Sequence, residues 1–77
     1  MVYVKEVKTL EDYKLLLTFE NGEKKIFDCS NLLKYKINKP LTNKSFFSSA
    51  YVKHGTVVWN EKIDIAPEQL YDESVPV

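Results

Sequence analysis

Cysteine, histidine, glycine and arginine are scarce or missing in this sequence. Its 77 residues include one cysteine, one histidine, two glycines and no arginine. A single cysteine cannot form an intramolecular disulfide, and with one histidine it cannot supply the three or four ligands of a zinc site. Two separated glycines cannot build a glycine-rich phosphate loop. We therefore predict a protein without a metal site or a cofactor.

Long apolar segments are also missing. Beyond residue 4, no uninterrupted apolar run is longer than three residues, whereas a membrane-spanning helix needs about 20. The N-terminal residues contain no apolar segment of signal-peptide length. Together with the lone cysteine, these absences predict a cytoplasmic protein with no membrane segment.

The chain is short but has enough apolar residues for a packed core. We predict one domain over residues 1–77, because 44% of the residues are hydrophobic and ten are aromatic. A domain of this size buries only about 60–65% of the surface that its unfolded chain exposes. Small domains often complete their core by pairing, so we expect a homodimer or a complex with another small protein.

Charge is balanced overall but unevenly distributed. Residues 28–53 carry five lysines and one acidic residue, a net charge of +4, and residues 54–77 carry one lysine and five acidic residues, a net charge of −4. The basic segment either forms a patch for an acidic partner or is neutralised by the acidic segment, within the fold or across a dimer. The absence of arginine argues against a dedicated nucleic-acid binder, because arginine is the side chain best suited to phosphate and guanine.

Alternating apolar residues predict a β-hairpin between Tyr13 and Cys29. Such alternation is typical of a strand with one buried face. The turn is predicted at Asn21-Gly22, because a type I′ turn needs positive φ at both central residues and Asn-Gly tolerates it.

The register of this hairpin decides which side chains share a face. A two-residue loop places Leu17 opposite Ile26 on the core face, and Leu16 opposite Phe27 on the other. A three-residue loop with a bulge is the alternative, because the shorter loop sets two glutamates opposite each other. Since both faces carry apolar groups, the second must be covered by helices or by another subunit.

A first strand over residues 2–9 completes a three-stranded antiparallel meander. The alternation of apolar and polar residues is interrupted at Lys5-Glu6, and a β-bulge there returns Val7 to the buried face. Short helices follow the meander. Ser30 and Asn43 are favourable N-cap residues, and they predict a short helix from Ser30, a loop over 36–40 and a two-turn helix from Asn43.

Short strands and a final helix complete the chain. One strand pattern runs over 52–59, with a break at His54-Gly55, and another spans 63–65. Pro67 opens the final helix, and residues 72–77 are predicted to form a flexible terminal tail. The predicted fold class is α+β: a small antiparallel sheet, made of the three-stranded meander plus short C-terminal strands, packed with two or three short helices.

Four residues are candidates for partner binding: Trp59, Phe27, Leu16 and Asp64. Trp59 suits an interface anchor, but a core role between the sheet and the final helix is favoured. Phe27 and Leu16 share the apolar second face in the two-residue register. Asp64 is either a functional carboxylate or a cap for the turn into the final helix.

Lysines interleaved with aromatic residues make the middle segment a weaker candidate for binding single-stranded nucleic acid. The phenylalanines of this segment already have a predicted helical role, and the acidic C-terminal segment offsets the charge. The lysines concerned are Lys34, Lys36, Lys39, Lys44 and Lys53.

A catalytic role has little support in the sequence. His54 beside a turn glycine would serve as a general base, with Cys29 or Ser30 as nucleophile, but nothing in the sequence brings these residues together. Cys29 fits a small buried hydrophobe, and Asp28 fits a cap for the chain leaving the sheet. We assign no catalytic residue and expect a protein that is not an enzyme.

Blocks along nearly the whole chain resemble the bacterial domain of unknown function 2442 family: VKEVK (4–8), YKLLLTFENGE (13–23), FDCSNLL (27–33), GTVVW (55–59) and IDIAPEQLY (63–71). Many members have Asn-Gly after the tryptophan, where this chain has Asn60-Glu61-Lys62. The resemblance implies a small α+β unit, found alone or fused to a helix-turn-helix module. Stand-alone members often sit beside a second small protein, in an arrangement similar to toxin–antitoxin pairs. The resemblance implies no catalytic residue.

These observations rank three functions. The first is a protein-interaction or regulatory module, such as the antitoxin-like half of a two-gene pair, with another small protein or a second copy as its partner. The second is a nucleic-acid-binding accessory domain that uses the Lys34–Lys53 segment. The third is an enzyme.

Overall fold

Two antiparallel β-sheets and short helices make up the computed structural model, which describes residues 2–60 and 62–77. The sheets have the strand orders β1-β2-β3-β7 and β4-β5-β6. The strands are β1 (Val4–Leu10), β2 (Lys14–Phe19), β3 (Lys24–Asp28), β4 (Tyr51–Lys53), β5 (Thr56–Trp59), β6 (Ile63–Asp64) and β7 (Val75–Pro76). The α-helices are α1 (Lys44–Phe47) and α2 (Pro67–Glu73), and 3₁₀ segments span Glu11–Tyr13, Ser30–Lys34 and Lys36–Thr42. The predicted α+β class is confirmed.

Strand β2 lies between β1 and β3 and supplies the centre of the first sheet. Leu15, Leu17 and Phe19 are buried, while Leu16 and Thr18 between them are only half-buried. This period of two places the first set on the core face and the second on the opposite face. Antiparallel pairing on both sides of β2 confirms the predicted meander.

The hairpin of β2 and β3 closes at the hydrogen-bonded residues Phe19 and Glu23, so its loop contains three residues, Glu20, Asn21 and Gly22. The Phe19 amide donates to the Glu23 carbonyl at 2.9 Å, and the Gly22 amide donates to the Phe19 carbonyl at 2.9 Å. Gly22 has a φ of 90°, whereas Asn21 has no positive φ. The turn therefore ends in a glycine bulge and is not type I′. The predicted two-residue turn is wrong, and the three-residue alternative is confirmed.

This register moves Phe27 into the core and Ile26 out of it. Phe27 lies opposite Leu15, and Ile26 lies opposite Leu16. Phe27 is 2% exposed, while Ile26 is half-buried on the opposite face. The faces predicted for both residues are therefore wrong. The longer loop keeps the two loop glutamates apart and buries the larger phenyl ring.

Strand β1 carries the predicted bulge. Its register with β2 shifts between Val4 and Glu6, after which Val7 lies opposite Leu17. Val4 is buried, and Val7 packs against the core. The two valines are an odd number of residues apart, so the extra residue of the bulge is what places both on the core face.

The 3₁₀ turn between β1 and β2 contains two residues in the left-handed region. Asp12 and Tyr13 have φ values of 60° and 59°. The Tyr13 ring contacts the Phe47 ring edge-on, with 5.3 Å between the ring centroids. The Tyr13 hydroxyl donates to the Thr42 carbonyl at 2.5 Å. These contacts offset the cost of about 1–2 kcal/mol that the left-handed conformation imposes on a non-glycine residue.

A second hairpin joins β4 and β5 through the two-residue turn His54-Gly55. Lys53 lies opposite Thr56, and the turn residues have φ values of 54° and 77°, so this turn is type I′. The predicted break at these residues is confirmed. The polar sequence Asn60-Glu61-Lys62, which is typical of a turn, includes Glu61, and Glu61 lies outside the described residues.

Between β3 and α1 the chain forms two 3₁₀ segments. Ser30 does not cap the first one. Instead Asp28 Oδ1 accepts the Ser30 amide at 2.9 Å, which is the role predicted for Asp28. Residues 36–40, predicted as a loop, belong to the second segment, in which the Pro40 carbonyl accepts the Asn43 amide at 3.1 Å.

Helix α1 is a single turn capped by Asn43. Its Oδ1 accepts the Phe46 amide at 3.1 Å, which confirms the predicted N-cap. The predicted second turn does not form, and Tyr51 belongs to β4 instead. The hydroxyls of Ser48 and Ser49 donate back to carbonyls of the helix at 2.9 and 2.5 Å, and such side-chain competition favours termination.

The C-terminal residues extend the first sheet. In β7, Val75 lies opposite Ile26 of β3 and Pro76 lies opposite Lys25. The prediction of a tail over 72–77 is therefore wrong. A two-residue strand with a proline has no pattern that marks it in the sequence, although proline is compatible with an edge strand.

Trp59 joins the two sheets and α1 in one core. It is fully buried, and its Nε1 donates to the Phe47 carbonyl at 2.9 Å. The centroids of the Trp59 and Phe47 rings lie 5.8 Å apart. Helix α2, opened by Pro67 as predicted, adds the buried Leu70 and the half-buried Tyr71 to this core.

The turn glycine Gly55 lies against Tyr3, which generates a stability prediction. A Cβ atom on Gly55 would lie 2.4–2.8 Å from atoms of the Tyr3 side chain, and the φ of 77° adds strain. We expect Gly55→Ala to lower the free energy of unfolding by about 2–4 kcal/mol, as the sum of left-handed strain and overpacking. Urea denaturation followed by circular dichroism measures the change.

Gly22→Ala is the matched control. Gly22 also has positive φ, at 90°, but a Cβ there would meet nothing within 4 Å, so we expect a loss of only about 1 kcal/mol. Adding Tyr3→Ala to Gly55→Ala removes two of the three close atoms and should recover part of the loss. Equal losses at the two glycines would contradict the steric explanation.

Candidate functional site

The outer face of the first sheet comprises the side chains that point away from the core. Its middle row crosses four strands in register, through Lys8, Leu16, Ile26 and Val75. Leu16 and Ile26 are half-buried, and Val75 is 64% exposed. Three apolar side chains therefore lie side by side on this face.

Charged side chains flank the apolar row on both sides. The flanking rows, each in cross-strand register, are Glu6–Thr18–Lys24 and Leu10–Lys14–Asp28. Lysine stems can cover part of an apolar row while their ammonium groups stay in water. Hydrogen bonds from the hydroxyl and amide of Ser30 hold the pKa of Asp28 below its ordinary value, so its carboxylate remains charged.

The core lies on the opposite side of the first sheet. The side chains that β2 and β3 contribute to it include Leu15, Leu17 and Phe27. Within residues 2–60 and 62–77, neither Leu16 nor Ile26 packs against the core cluster. The outer face is thus a second apolar surface, separate from the core of the described chain.

Polar contacts hold α2 against the core side of β3. The Tyr71 hydroxyl donates to Glu23 Oε1 at 2.6 Å, and Lys25 Nζ donates to the Tyr71 carbonyl at 3.0 Å while lying 3.8 Å from the ring centroid. The Tyr71 ring also contacts Phe19 edge-on at 5.1 Å. The Tyr71 hydrogen bond lowers the pKa of Glu23, and the same bond raises the pKa of Tyr71. Because β7 follows α2 directly, these contacts place Val75 beside β3.

Two of the four predicted partner-binding residues are buried. Trp59 is 0% exposed and Phe27 is 2% exposed, so neither side chain is available to a partner, and we correct both assignments. The alternative core role of Trp59 is the one observed. Leu16 lies on the outer face. Asp64 is exposed on β6, and it does not cap α2, whose N-cap residue is Ala66.

Ile26 and Val75 are the outer-face residues that sequence reasoning missed. Ile26 was assigned to the core by the two-residue loop, and Val75 was assigned to the tail. The repulsion between Glu20 and Glu23 was the signal that favoured the longer loop. Val75 has no such signal, because its strand partner lies far away in the sequence.

The five predicted nucleic-acid-binding lysines are spread over both 3₁₀ segments that follow β3, α1 and β4. Lys44 lines a cleft of about 570 Å³ that also contains Glu11 and Asp12. Lys53 is half-buried on β4. Acidic neighbours beside Lys44 weaken any attraction that it has for phosphate.

The other three lysines, Lys34, Lys36 and Lys39, are exposed near Tyr35, whose ring is 64% exposed. The Tyr35 amide donates to the Leu32 carbonyl at 3.3 Å, and the Tyr35 carbonyl accepts the Asn38 amide at 3.0 Å. The backbone therefore holds the ring outward. A cleft of about 430 Å³ beside it is also lined by Asn38, Asp64 and Gln69.

The residues considered for catalysis lie in unrelated environments. His54 is exposed in the β4–β5 turn, and Cys29 is 0% exposed at the end of β3. Burial raises the pKa of the Cys29 thiol to about 12, and the Asp28 charge adds to the shift. A buried, protonated thiol is a poor nucleophile. The described residues contain no group of three or more His, Cys, Asp and Glu side chains that could hold a metal ion.

A family model described as protein of unknown function (DUF2442) matches residues 4–76, a range that includes all seven described strands and both α-helices. The chain belongs to the DUF2442 family. No curated protein and no solved structure matches it. Membership of DUF2442 confirms the resemblance stated from the sequence blocks, and it supports the fold without assigning an activity. Among the described helices, none is long and apolar enough to cross a membrane.

The environment of Cys29 predicts its reactivity. The thiol pKa rises from its ordinary 9.0 to about 12, which lowers the thiolate fraction about 1,000-fold at mildly alkaline pH. We expect a disulfide reagent such as Ellman's reagent to react with the native protein at least about 100-fold more slowly than with the protein unfolded in guanidinium chloride.

Cys29→Ser should show no reaction in either state, which controls for other nucleophiles. Equal rates for the native and unfolded wild-type protein would contradict the burial of the thiol and would return Cys29 to the candidate catalytic residues.

Proposed function

We propose that this chain is a protein-interaction module and that the outer face of the first sheet is its binding surface. The observation that carries the proposal is the row Leu16–Ile26–Val75. Buried interface centres are apolar and are surrounded by polar rims, and this row has charged rows on either side. Isolated surface apolar residues need no explanation, but three in one cross-strand row form a contiguous patch.

The register of β2 and β3 supports the proposal because it places Ile26 on the outer face. Phe27 rather than Ile26 completes the core, so Ile26 is not needed to fill it. An isoleucine and a leucine opposite each other on an outward face cost solvation free energy unless another surface covers them.

A regulatory role, such as the antitoxin-like half of a two-gene pair, belongs to the same proposal. It rests on the arrangement that the family resemblance implies for stand-alone members. A cytoplasmic location is also part of the proposal, supported by the single buried cysteine.

Charged substitutions on the outer face test the proposal. We expect Leu16→Glu and Ile26→Glu to abolish binding, because they place a carboxylate at the centre of the patch. The tagged protein is cross-linked in host cells that also make the untagged chain and is then recovered, and the cross-linked proteins are identified by mass spectrometry. Circular dichroism confirms that each variant is folded.

Tyr51→Glu is the matched control, because Tyr51 is an exposed apolar residue on β4, in the other sheet. Support for the proposal is a protein, or an untagged copy of the chain, that wild type and Tyr51→Glu retain and both outer-face variants lose. If all variants recover the same proteins, the outer face is not the binding surface.

A second candidate function, binding of single-stranded nucleic acid, is favoured by the exposed Tyr35 ring with lysines on either side of it in sequence. Aromatic rings stack on bases, and lysines neutralise phosphates. We expect Tyr35→Ala to weaken RNA binding about 5- to 100-fold by lost stacking. With three lysines near the ring, the logarithm of the association constant should fall against the logarithm of the salt concentration with a slope of about −2.

Fluorescence anisotropy with labelled single-stranded RNA and DNA measures both effects, and Tyr51→Ala controls for the loss of an exposed tyrosine. An absence of binding at low salt, or equal effects of the two tyrosine substitutions, would remove this candidate.

A further inference from the structure

The charges of the outer face occupy positions that complement a second copy of the same face. In β2 the outward sequence is Lys14, Leu16, Thr18, and in antiparallel β3 the residues opposite them are Asp28, Ile26 and Lys24. Within one chain, Lys14 and Asp28 are therefore neighbours at one end of the apolar pair. A face that holds both charge signs does not match a partner of uniform charge.

A two-fold axis parallel to the strands, passing between β2 and β3, stacks two such faces. It sets β2 of one copy above β3 of the other with the rows in the same order. Leu16 then faces the partner's Ile26, and Lys14 faces the partner's Asp28. The symmetry makes each contact twice, as an isologous interface requires. Sheets stack in this way at a separation of about 10 Å.

The ionic groups form an alternating square in this arrangement. Each Lys14 has its own Asp28 beside it and the partner's Asp28 across the interface, so every nearest neighbour has the opposite charge. At the edges, the Lys8 stem meets the partner's Val75, a contact that covers apolar surface while the ammonium group reaches solvent. No like-charged pair is forced together along the middle row or the Lys14 row.

We propose that the outer face binds a second copy of this chain, with Lys14 and Asp28 determining the pairing. This inference rests on the proposed function and names the occupant of the same surface.

The size of the face predicts a weak dimer. Strands about 4.8 Å apart, with about five residues each at about 3.4 Å per residue, give a face of about 20 by 17 Å. Stable interfaces bury about 800 Å² per partner, so this face falls short. We expect a dissociation constant on the order of 100 μM, dominated by a fast dissociation rate.

Charge exchange tests the pairing directly. In sedimentation velocity over a range of concentrations, the wild-type chain should show reversible dimerisation. Lys14→Asp gives a chain with carboxylates at both positions, and Asp28→Lys gives a chain with amines at both. Each variant alone should dimerise at least about tenfold more weakly, because like charges then face each other. An equimolar mixture of the two should regain wild-type association as a heterodimer.

Fold controls keep the test interpretable, because Asp28 also accepts the Ser30 amide. Asp28→Asn retains an acceptor oxygen and removes the charge, so it should weaken the dimer less than Asp28→Lys. Circular dichroism and thermal unfolding establish that the variants are folded. If Asp28→Lys fails to fold, Lys14→Asp alone carries the test, because it should still dimerise at least about tenfold more weakly than the wild type.

The outcomes separate this inference from the proposed function. Recovery of association in the mixture supports the dimer. The dimer is overturned if the wild-type chain stays monomeric at all concentrations, or if neither charge substitution changes its association. The interaction module is then still supported if the wild type recovers a different protein that Leu16→Glu loses. If all variants recover the same proteins, both the dimer and the interaction module are overturned.

Discussion

The pairing of β2 with β3 is the constraint on which the rest of the structure depends. The three-residue loop sets Leu15 opposite Phe27 and Leu16 opposite Ile26. A shift by one residue in a strand exchanges every side chain between the two faces. The observed register therefore selects the members of the core, creates the apolar row of the outer face and places Lys14 beside Asp28. Core and candidate binding surface are two consequences of one loop.

The core that this register creates is held to the surrounding segments by a few aromatic contacts. Trp59 donates to the Phe47 carbonyl, and Tyr13 packs edge-on against Phe47, so three distant parts of the chain meet at one helical turn. On the other side, Tyr71 packs on Phe19 and ties α2 to the sheet. Each of these side chains packs from the core side, so none of them covers the outer face.

Local features were predictable because their causes lie within a few residues. The bulge in β1 follows from the spacing of Val4 and Val7, and the cap of α1 follows from Asn43. The candidate site was only partly predictable. Leu16 was found from the alternation in β2, whereas Trp59 and Phe27 were named as candidates for partner binding and are buried. A large apolar side chain suits a core and an interface equally well, since both remove it from water.

The sequence by itself determined the class of fold, the meander, the positions of the hairpin turns at Gly22 and Gly55, and the opening of the final helix. These depend on strand periodicity, on N-cap side chains, and on glycine and proline, which act on the nearest backbone. Only the tertiary structure decided the hairpin register, the addition of β7 and the sheet face on which Ile26 lies. Those outcomes depend on which side chains fill a shared core and on pairing between distant segments, and apart from the Glu20–Glu23 repulsion no local pattern indicates them.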